Sequence, residues 1–297
     1  ARAAARHMGT GDKEAVDGAA VEAMRTALNA LPIDGTVVIG EGEKDEAPIL
    51  YIGEKVGTGD GEELEIAVDP VDGTTLTSKG RENALSVIAI AQKGNFLNVP
   101  FLHYMDKLAV GTDVDINKLS LDMPADEVVK EVARQKSVKP ENIVVCLLDR
   151  PRNQHLMDGV RKAGGRMKLI TDGDVAGAVS TAMRESGVDI LMGSGGAPEG
   201  VVAAAALKCL GGNILCRAKF ENDAMRQHML DAGFDDPDKT FTTEELAKGE
   251  VIFAATGVTD GSWLKGVHRT PLGEMTHTVV MRSLTGTIRY IESTHRV

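Results

Sequence analysis

Apolar residues recur at helical spacing near the start of the chain and at strand spacing soon after it. In residues 12–31 they form one face of a predicted helix that ends at Pro32. The run TVVIG (36–40) predicts a strand, and a turn rich in acids and glycine follows it. A second run, residues 66–68, predicts a strand that leads directly into DPVDGTT, where we expect residues 69–74 to form a sharp turn.

The remaining chain alternates between strand and helix patterns. Strands are predicted at 84–94 and 107–113, and an amphipathic helix at 124–137. Three later apolar segments each end in a polar turn with glycine or proline: NIVVCLL before DRPR, MKLI before TDGD, and VDILM before GSGGAPEG. A helix is predicted after the last of these turns, at 201–210. Two β-segments joined at Gly286 follow near the C-terminal end of the sequence.

This alternation predicts a layered α/β fold, in which ligands bind at the carboxyl ends of the strands. We divide the sequence into two α/β halves. Residues 1–140 carry the DPVDGT segment, and residues 141–297 complete the substrate site.

Composition excludes several classes of protein. The net charge of −11 argues against a nucleic-acid or membrane-surface binder, and ten aromatic residues in 297 are too few for a base-stacking platform. No apolar run reaches the roughly 18 residues of a membrane span. The three cysteines lack zinc-site spacing, so we expect reduced core residues and a cytoplasmic protein. The opening ARAAARHMG is interpreted as the cut end of a helix rather than a transit peptide.

Acidic residues follow four of the predicted strands. They are Glu41 and Glu43, Asp69 and Asp72, Asp172 and Asp174, and Glu199. Two carboxylates about 4 Å apart repel by roughly 4 kcal/mol at an effective dielectric constant of 20, so a cluster of them needs cations. With oxygen ligands only, the cation is predicted to be Mg²⁺ or Mn²⁺. Taken singly, each acid is better explained as a solvated turn residue, and an isolated Asp-x-x-Asp as an Asx-turn with Thr74 as a helix N-cap.

Basic and glycine-rich segments offer sites for an anion. Arg150 and Arg152, separated by the stiff Pro151, can bind a phosphate bidentately, or they are two surface arginines. The GSGG segment has free backbone amides before a predicted helix, a weak signal for phosphate by itself. Lys13 and Asp17 lie on one helix face, as an exposed ion pair or near the acidic turns.

Together these motifs closely resemble the class II bacterial fructose-1,6-bisphosphatases, of the lithium-sensitive phosphatase superfamily. The resemblance runs along almost the whole chain. Its motifs are GDKEAVDGAAVEAMR, VIGEGEKDEAPILYIGE, AVDPVDGTT, FLHYMDKLAVG, DRPR, ITDGDVAGA and GSGGAPEGVVAAAALKCLGG. The resemblance implies an α-β-α-β-α sandwich and metal-dependent hydrolysis of the C1 phosphate of fructose 1,6-bisphosphate in gluconeogenesis.

The resemblance also assigns residues. The implied metal ligands are Asp17, Glu41, Asp69 and Glu199, to which the Asp-x-x-Asp spacing adds Asp72. The implied substrate contacts are Asp72, Gly73, Thr74, Tyr104, Arg150, Pro151, Arg152, Asp172, Gly173, Asp174 and Gly196. The expected partner is a sugar bisphosphate, with no nucleic acid and no membrane, and we expect a homo-oligomer, either a dimer or a tetramer.

From these residues we expect a catalytic group of Thr74, Glu41 and Asp17. Thr74 would orient the attacking water while its hydroxyl donates to Glu41 or Asp17, and Arg150 and Arg152 would hold the distal phosphate. Cyanobacterial relatives that also cleave sedoheptulose 1,7-bisphosphate have CEGTN where this chain has VDGTT, which does not favour the dual activity. The alternatives are a related sugar, inositol or nucleotide phosphatase, and a non-catalytic sugar-phosphate sensor.

Overall fold

The computed structural model describes residues 1–40, 50–99 and 102–296 of the chain. Within these residues it has nine α-helices and fourteen strands. The helices are α1 (Arg2–Ala5), α2 (Lys13–Asn29), α3 (Thr74–Ser78), α4 (Ala125–Gln135), α5 (Gln154–Ala163), α6 (Asp174–Ser180), α7 (Ala197–Leu210), α8 (Asp223–Asp231) and α9 (Thr243–Leu246). No helix in these ranges is both long and apolar enough to cross a membrane.

The strands account for most of the segments that the apolar runs predict. They are β1 (Asp34–Ile39), β2 (Lys55–Val56), β3 (Glu63–Asp72), β4 (Leu85–Gln92), β5 (Tyr104–Val110), β6 (Val144–Leu148), β7 (Arg166–Ile170), β8 (Ile190–Gly196), β9 (Asn213–Lys219), β10 (Thr240–Thr242), β11 (Val251–Gly257), β12 (His268–Thr270), β13 (Gly273–Arg282) and β14 (Thr287–His295). Helices and strands thus alternate along much of the chain, and the predicted α/β class is confirmed.

The chain folds into two compact units. Unit 1 comprises Ala1–Asn98 and Ala247–Val297, and unit 2 comprises Val99–Leu246. These units differ from the predicted halves, which meet at residue 140. The reason lies in strand pairing: β11 returns late in the chain to pair with β4, whereas β5 pairs with β8 and β9 well beyond residue 140.

Unit 1 is built on a sheet with the strand order β12-β13-β11-β4-β3-β1-β2, and β14 pairs along β13. Among the strands that the structure describes in this sheet, β1 and β3 are the one parallel pair, and the other pairs are antiparallel. Asp12 caps α2 by accepting a hydrogen bond from the Ala15 amide at 3.0 Å. Val21 and Leu28 of α2 are fully or almost fully buried against the apolar side chains of β1 and β3, as the helical spacing predicts.

Strand β3 runs further than the sequence predicts. The apolar run predicts that the strand ends at residue 68 and that a turn follows at 69–74. Pairing of β3 with β4 instead continues to Asp72, which lies opposite Leu85. A β-bulge between Asp69 and Asp72 makes this extension possible, and Pro70 falls within it, where no ladder hydrogen bond is needed from its nitrogen. The turn is therefore shorter than predicted and begins at Gly73.

Unit 2 is built on a sheet with the strand order β10-β9-β5-β8-β6-β7. One face of this sheet, which includes Leu108, packs on α4 and α5 in a large apolar cluster. The alternate residues of β5 point to the opposite face, where Gly200 of α7 approaches Lys107. Helix α7 begins at Ala197, four residues before the predicted start, and most of it is buried.

The GSGG segment is the end of a strand rather than the predicted turn. Gly193 and Ser194, together with the two glycines that follow, belong to β8 and pair with residues 104–107 of β5. Ladder pairing with β5 overrides the usual turn preference of glycine here. A Cβ atom at Gly195 or Gly196 would collide with the Asp174 or the Glu199 side chain.

We expect Phe253→Ala to lower the free energy of unfolding by about 3–5 kcal/mol, as for other fully buried aromatic side chains. Phe253 of β11 is completely buried and stacks on Trp263, with ring centroids 6.3 Å apart. The neighbouring Ile252 is 42% exposed, so Ile252→Ala is the matched control and should cost about 1 kcal/mol or less. Urea unfolding of both variants tests this, and equal losses would contradict the assignment of the two faces of β11.

Candidate functional site

In unit 1 the DPVDGT segment places two acids and a hydroxyl within one bulged strand end. The Asp69 carboxylate accepts a hydrogen bond from the Val71 amide at 3.0 Å, and Asp72 is buried. Gly73 has a φ of 105°, which a residue with a side chain rarely adopts. A Cβ atom at Gly73 would also lie 3.0 Å from the Leu76 side chain. Glycine is therefore required where the chain leaves β3 and enters α3.

The hydroxyl of Thr74 joins this segment to helix α2. Its Oγ1 donates to Asp17 Oδ1 at 2.7 Å, and the Val71 carbonyl oxygen lies 3.2 Å away as a second acceptor. Gly73, not Thr74, occupies the N-cap position of α3, so the alternative interpretation of Thr74 as a helix cap is wrong. Of the two predicted acceptors, the contact with Asp17 is confirmed, and Glu41 lies outside the described residues, as does Glu43.

In unit 2 a lysine and two acids form a buried cluster. Lys107 of β5 is 3% exposed, and its Nζ donates to Asp174 Oδ2 at 2.6 Å. Burial by itself would lower the pKa of Lys107, but the carboxylates of Asp174 and Glu199 raise it, so the ammonium stays charged. Burial first, and then the Asp174 carboxylate, raise the pKa of Glu199, while Lys107 opposes the rise.

The two glycines at the end of β8 make room for these carboxylates. A Cβ atom at Gly195 would lie 2.0 Å from Asp174 Oδ2 and 3.1 Å from Lys107 Nζ. At Gly196 it would lie 2.0 Å from Glu199 Oε2. The two distances of 2.0 Å are far below van der Waals contact, so a larger residue at either position would displace the neighbouring carboxylate. The last two glycines of GSGG are thus a packing requirement of the cluster.

The TDGD segment enters α6 in the way that DPVDGT enters α3. Gly173 is the left-handed N-cap, with a φ of 82°, and the Asp172 side chain accepts a hydrogen bond from its amide at 3.1 Å. Asp174 is then the first residue of the helix. The charge of Asp172 contributes to the raised pKa of Glu199, after burial and the larger effect of Asp174. Two of the predicted acids, Asp172 and Asp174, therefore act on a third, Glu199, in unit 2.

The two arginines of DRPR have different partners. Arg150 donates to the Thr171 carbonyl oxygen at 2.7 Å and so connects its own turn to the TDGD segment. Arg152 lies over the Tyr104 ring, 4.9 Å from its centroid, and its Nε donates to the Ser194 carbonyl oxygen at 3.1 Å. Pro151 begins a short 3-10 helix between them. Of the two predicted anion ligands, the structure brings Arg152 together with the predicted substrate contact Tyr104.

The predicted metal ligands agree with a hard cation in their chemistry. Glu199 Oε2 is enclosed by protein yet has no hydrogen-bond partner, and such a buried oxygen calls for a proton or a cation. All the proposed ligand atoms are carboxylate oxygens, which suit Mg²⁺ or Mn²⁺. Among the residues that the structure describes, no three acids, histidines or cysteines form a ready-made cage. The residues present fit such an ion, while the complete ligand set stays a prediction.

The cysteines behave as predicted core residues. Cys146, Cys209 and Cys216 are all buried and form no disulfide. Burial raises the pKa of the Cys146 and Cys216 thiols to about 12, so both stay protonated at neutral pH.

Sequence reasoning missed Lys107 as part of the site. Its signal was available at the start of the predicted strand 107–113, where the lysine directly precedes the apolar run LAV. Such a lysine is buried only if an acid meets it, and no pattern in the sequence identifies which acid. A second set of polar side chains was also missed. In this set Lys219 donates to Ser194 Oγ at 2.7 Å, and Asp106 accepts from the same hydroxyl.

These features define an α/β protein whose acids, hydroxyl and arginine suit a phosphate ester. The sequence profile described as bacterial fructose-1,6-bisphosphatase, glpX-encoded, matches residues 1–295. The chain therefore belongs to the family of bacterial fructose-1,6-bisphosphatases.

Individual relatives agree with this membership. Two Synechococcus proteins, from strains JA-2-3B'a(2-13) and JA-3-3Ab, are each 42% identical over 99% of this chain and 91% of their own length. A protein of Trichodesmium erythraeum is 40% identical over 99% of this chain and 92% of its own. All three are named D-fructose 1,6-bisphosphatase class 2/sedoheptulose 1,7-bisphosphatase.

Proposed function

We propose that this protein hydrolyses the C1 phosphate of fructose 1,6-bisphosphate, giving fructose 6-phosphate and inorganic phosphate, as a step of gluconeogenesis. Membership of the bacterial fructose-1,6-bisphosphatase family supports the reaction class. The observation that carries the proposal is the 2.7 Å hydrogen bond from the Thr74 hydroxyl to Asp17. It joins a predicted catalytic hydroxyl to a predicted metal ligand, which a simple structural turn does not require.

The role of Thr74 follows from its hydrogen bonds. A hydroxyl donates one hydrogen bond and accepts others through two lone pairs, and Asp17 Oδ1 is the acceptor of the donated bond. The lone pairs of Oγ1 then accept a hydrogen bond from the attacking water and fix its direction toward phosphorus. Asp72 and Gly73 adjoin this hydroxyl in sequence and are proposed to contact the same phosphate.

A divalent cation completes the proposed site. The proposed metal ligands are Asp17, Glu41, Asp69 and Asp72 in unit 1 and Glu199 in unit 2. Bound there, Mg²⁺ or Mn²⁺ would neutralise phosphate oxygens and lower the pKa of a coordinated water.

Residues of unit 2 are proposed to recognise the sugar and its distal phosphate. Arg152, whose guanidinium lies over Tyr104, is the proposed ligand of the distal phosphate. Arg150 supports this role indirectly, because its hydrogen bond to the Thr171 carbonyl oxygen fixes the two turns against each other. The remaining proposed substrate contacts of this unit are Pro151, Asp172, Gly173, Asp174 and Gly196.

We also propose a cytoplasmic homo-oligomer, a dimer or a tetramer. The reduced, buried cysteines support the cytoplasmic location.

The three cyanobacterial relatives carry a dual name, so sedoheptulose 1,7-bisphosphate belongs in any substrate test. An inositol or nucleotide phosphatase would share the metal site, and a sensor would bind the sugar phosphate without turnover. Phosphate release from a panel of these esters distinguishes these activities from one another and from binding without turnover.

Removing divalent metal should abolish hydrolysis of fructose 1,6-bisphosphate. The carboxylates of the proposed site would repel a phosphate dianion without a cation between them. The measurement is phosphate release after treatment with EDTA and then after addition of Mg²⁺, Mn²⁺ or Ca²⁺. We expect recovery with the first two. Full activity in excess chelator would contradict the proposed mechanism.

Thr74→Ala should lower kcat at least about a hundredfold and change KM little, because orienting the water matters in the transition state. Thr74→Val keeps the branched shape without the hydroxyl and should lose as much. Thr74→Ser should recover part of the rate. Steady-state kinetics of the three variants decide the point. If Ala and Val stay within about threefold of the wild-type kcat, a barrier change of about 0.65 kcal/mol, Thr74 has no catalytic role.

Arg152→Ala should lower kcat/KM for fructose 1,6-bisphosphate about ten- to a hundredfold, the worth of one charge-assisted contact. Hydrolysis of fructose 1-phosphate, which lacks the distal phosphate, should change much less. Arg161→Ala is the matched control, because Arg161 lies on α5 and binds Asp158 on the surface. Equal losses on both esters would show that Arg152 does not recognise the distal phosphate.

A further inference from the structure

A charged lysine lies in the middle strand region of the unit 2 sheet. On β5, Lys107 faces Gly193 of β8 and Cys216 of β9 across the ladder. A Cβ atom at Gly200 of α7 would lie 3.4 Å from Lys107 Cε, so the helix packs directly on the lysine stem. An ammonium in such a place is costly unless an acid compensates its charge. Its presence therefore needs an explanation.

Two acids surround the ammonium, but only one is hydrogen-bonded to it. Asp174 Oδ2 accepts from Lys107 Nζ at 2.6 Å, whereas Glu199 Oε2 has no hydrogen-bond partner. Both carboxylates lie close to the end of β8. Gly195 and Gly196 leave room for them there, because any side chain at these positions would collide with them. The two acids thus differ in their contact with the lysine: Asp174 accepts its hydrogen bond, and Glu199 Oε2 does not.

We propose that Lys107 is a positioning residue that decides which of these acids binds the divalent cation. Its ion pair retains Asp174, and the Oε2 atom of Glu199 stays available for the metal. Without the ammonium, the two carboxylates would repel each other and move apart, and Glu199 would leave the position that suits the ion. This inference rests on the metal site of the proposed function.

The decisive variant is Asp174→Asn, because it removes a side chain that is not a proposed metal ligand. Glu199 is then the one acid left beside the ammonium within the cluster, and Lys107 should pair with its Oε2 atom. The affinity for Mn²⁺ should fall at least about tenfold. Adding Lys107→Met to this variant removes the competing ammonium, and the affinity should return to within about threefold of wild type. Lys107→Met alone should also weaken Mn²⁺ binding.

The measurement is Mn²⁺ binding to the full chain without substrate, followed by the electron paramagnetic resonance signal of the free ion. Glu199→Gln identifies the part of the binding curve that depends on Glu199. Lys136→Met is a matched control: Lys136 pairs with Asp189 at 2.6 Å and Asp113 at 2.9 Å in the same unit. It should lower the melting temperature and leave Mn²⁺ affinity unchanged.

The outcomes separate this inference from the proposed function. The role of Lys107 would be overturned if the losses of affinity in the two single variants added up in the double variant. It would also be overturned if the Mn²⁺ affinity of Asp174→Asn or of Lys107→Met stayed unchanged or rose. Should Lys107→Met fail to fold, the comparison of Asp174→Asn with the double variant decides alone, because the latter has no unpaired ammonium. Unchanged Mn²⁺ binding in Glu199→Gln overturns the inference, whereas the wild-type phosphate-release assay tests the proposed function by itself.

Discussion

Negative charges brought close together inside a protein must be matched by positive charge or by hydrogen-bond donors, and both units obey this constraint. In unit 1 the acids accept from donors of the same unit: Asp17 from the Thr74 hydroxyl and Asp69 from the Val71 amide. In unit 2 the buried Lys107 compensates Asp174. Glu199 Oε2 is left enclosed without a donor, which is the condition for binding a cation instead.

Glycine solves the backbone side of the same problem in two ways. At Gly73 the chain needs a left-handed conformation to pass from β3 into α3, and at Gly173 it needs the same to enter α6. At Gly195 and Gly196 the requirement is space, because the carboxylates of the two neighbouring helices occupy the positions of the missing side chains. Glycine next to acid in this sequence therefore has a steric reason at each of these positions.

Ladder pairing makes the strand ends rigid supports for these groups. Both β3 and β8 run several residues further than their apolar cores predict, and each reaches a proposed functional residue while still paired. Asp72 lies opposite Leu85 of β4, and Gly196 lies opposite Tyr104 of β5. Residues that are held by a paired strand vary less in position than residues on a free loop, which suits groups that must be placed accurately.

The sequence by itself determined the α/β class, most strands, the α2 and α4 helices and the acidic motifs, because periodicity and turn residues act over short distances. It also predicted that the Thr74 hydroxyl donates to a carboxylate, either Glu41 or Asp17, and the structure shows the contact with Asp17. Tertiary structure alone decided the composition of the two units, the length of β3 and β8, and the partner of Lys107. These depend on contacts between distant residues: Lys107 and Asp174 are 67 positions apart, and a charge pair at that separation leaves no periodic signal in the sequence.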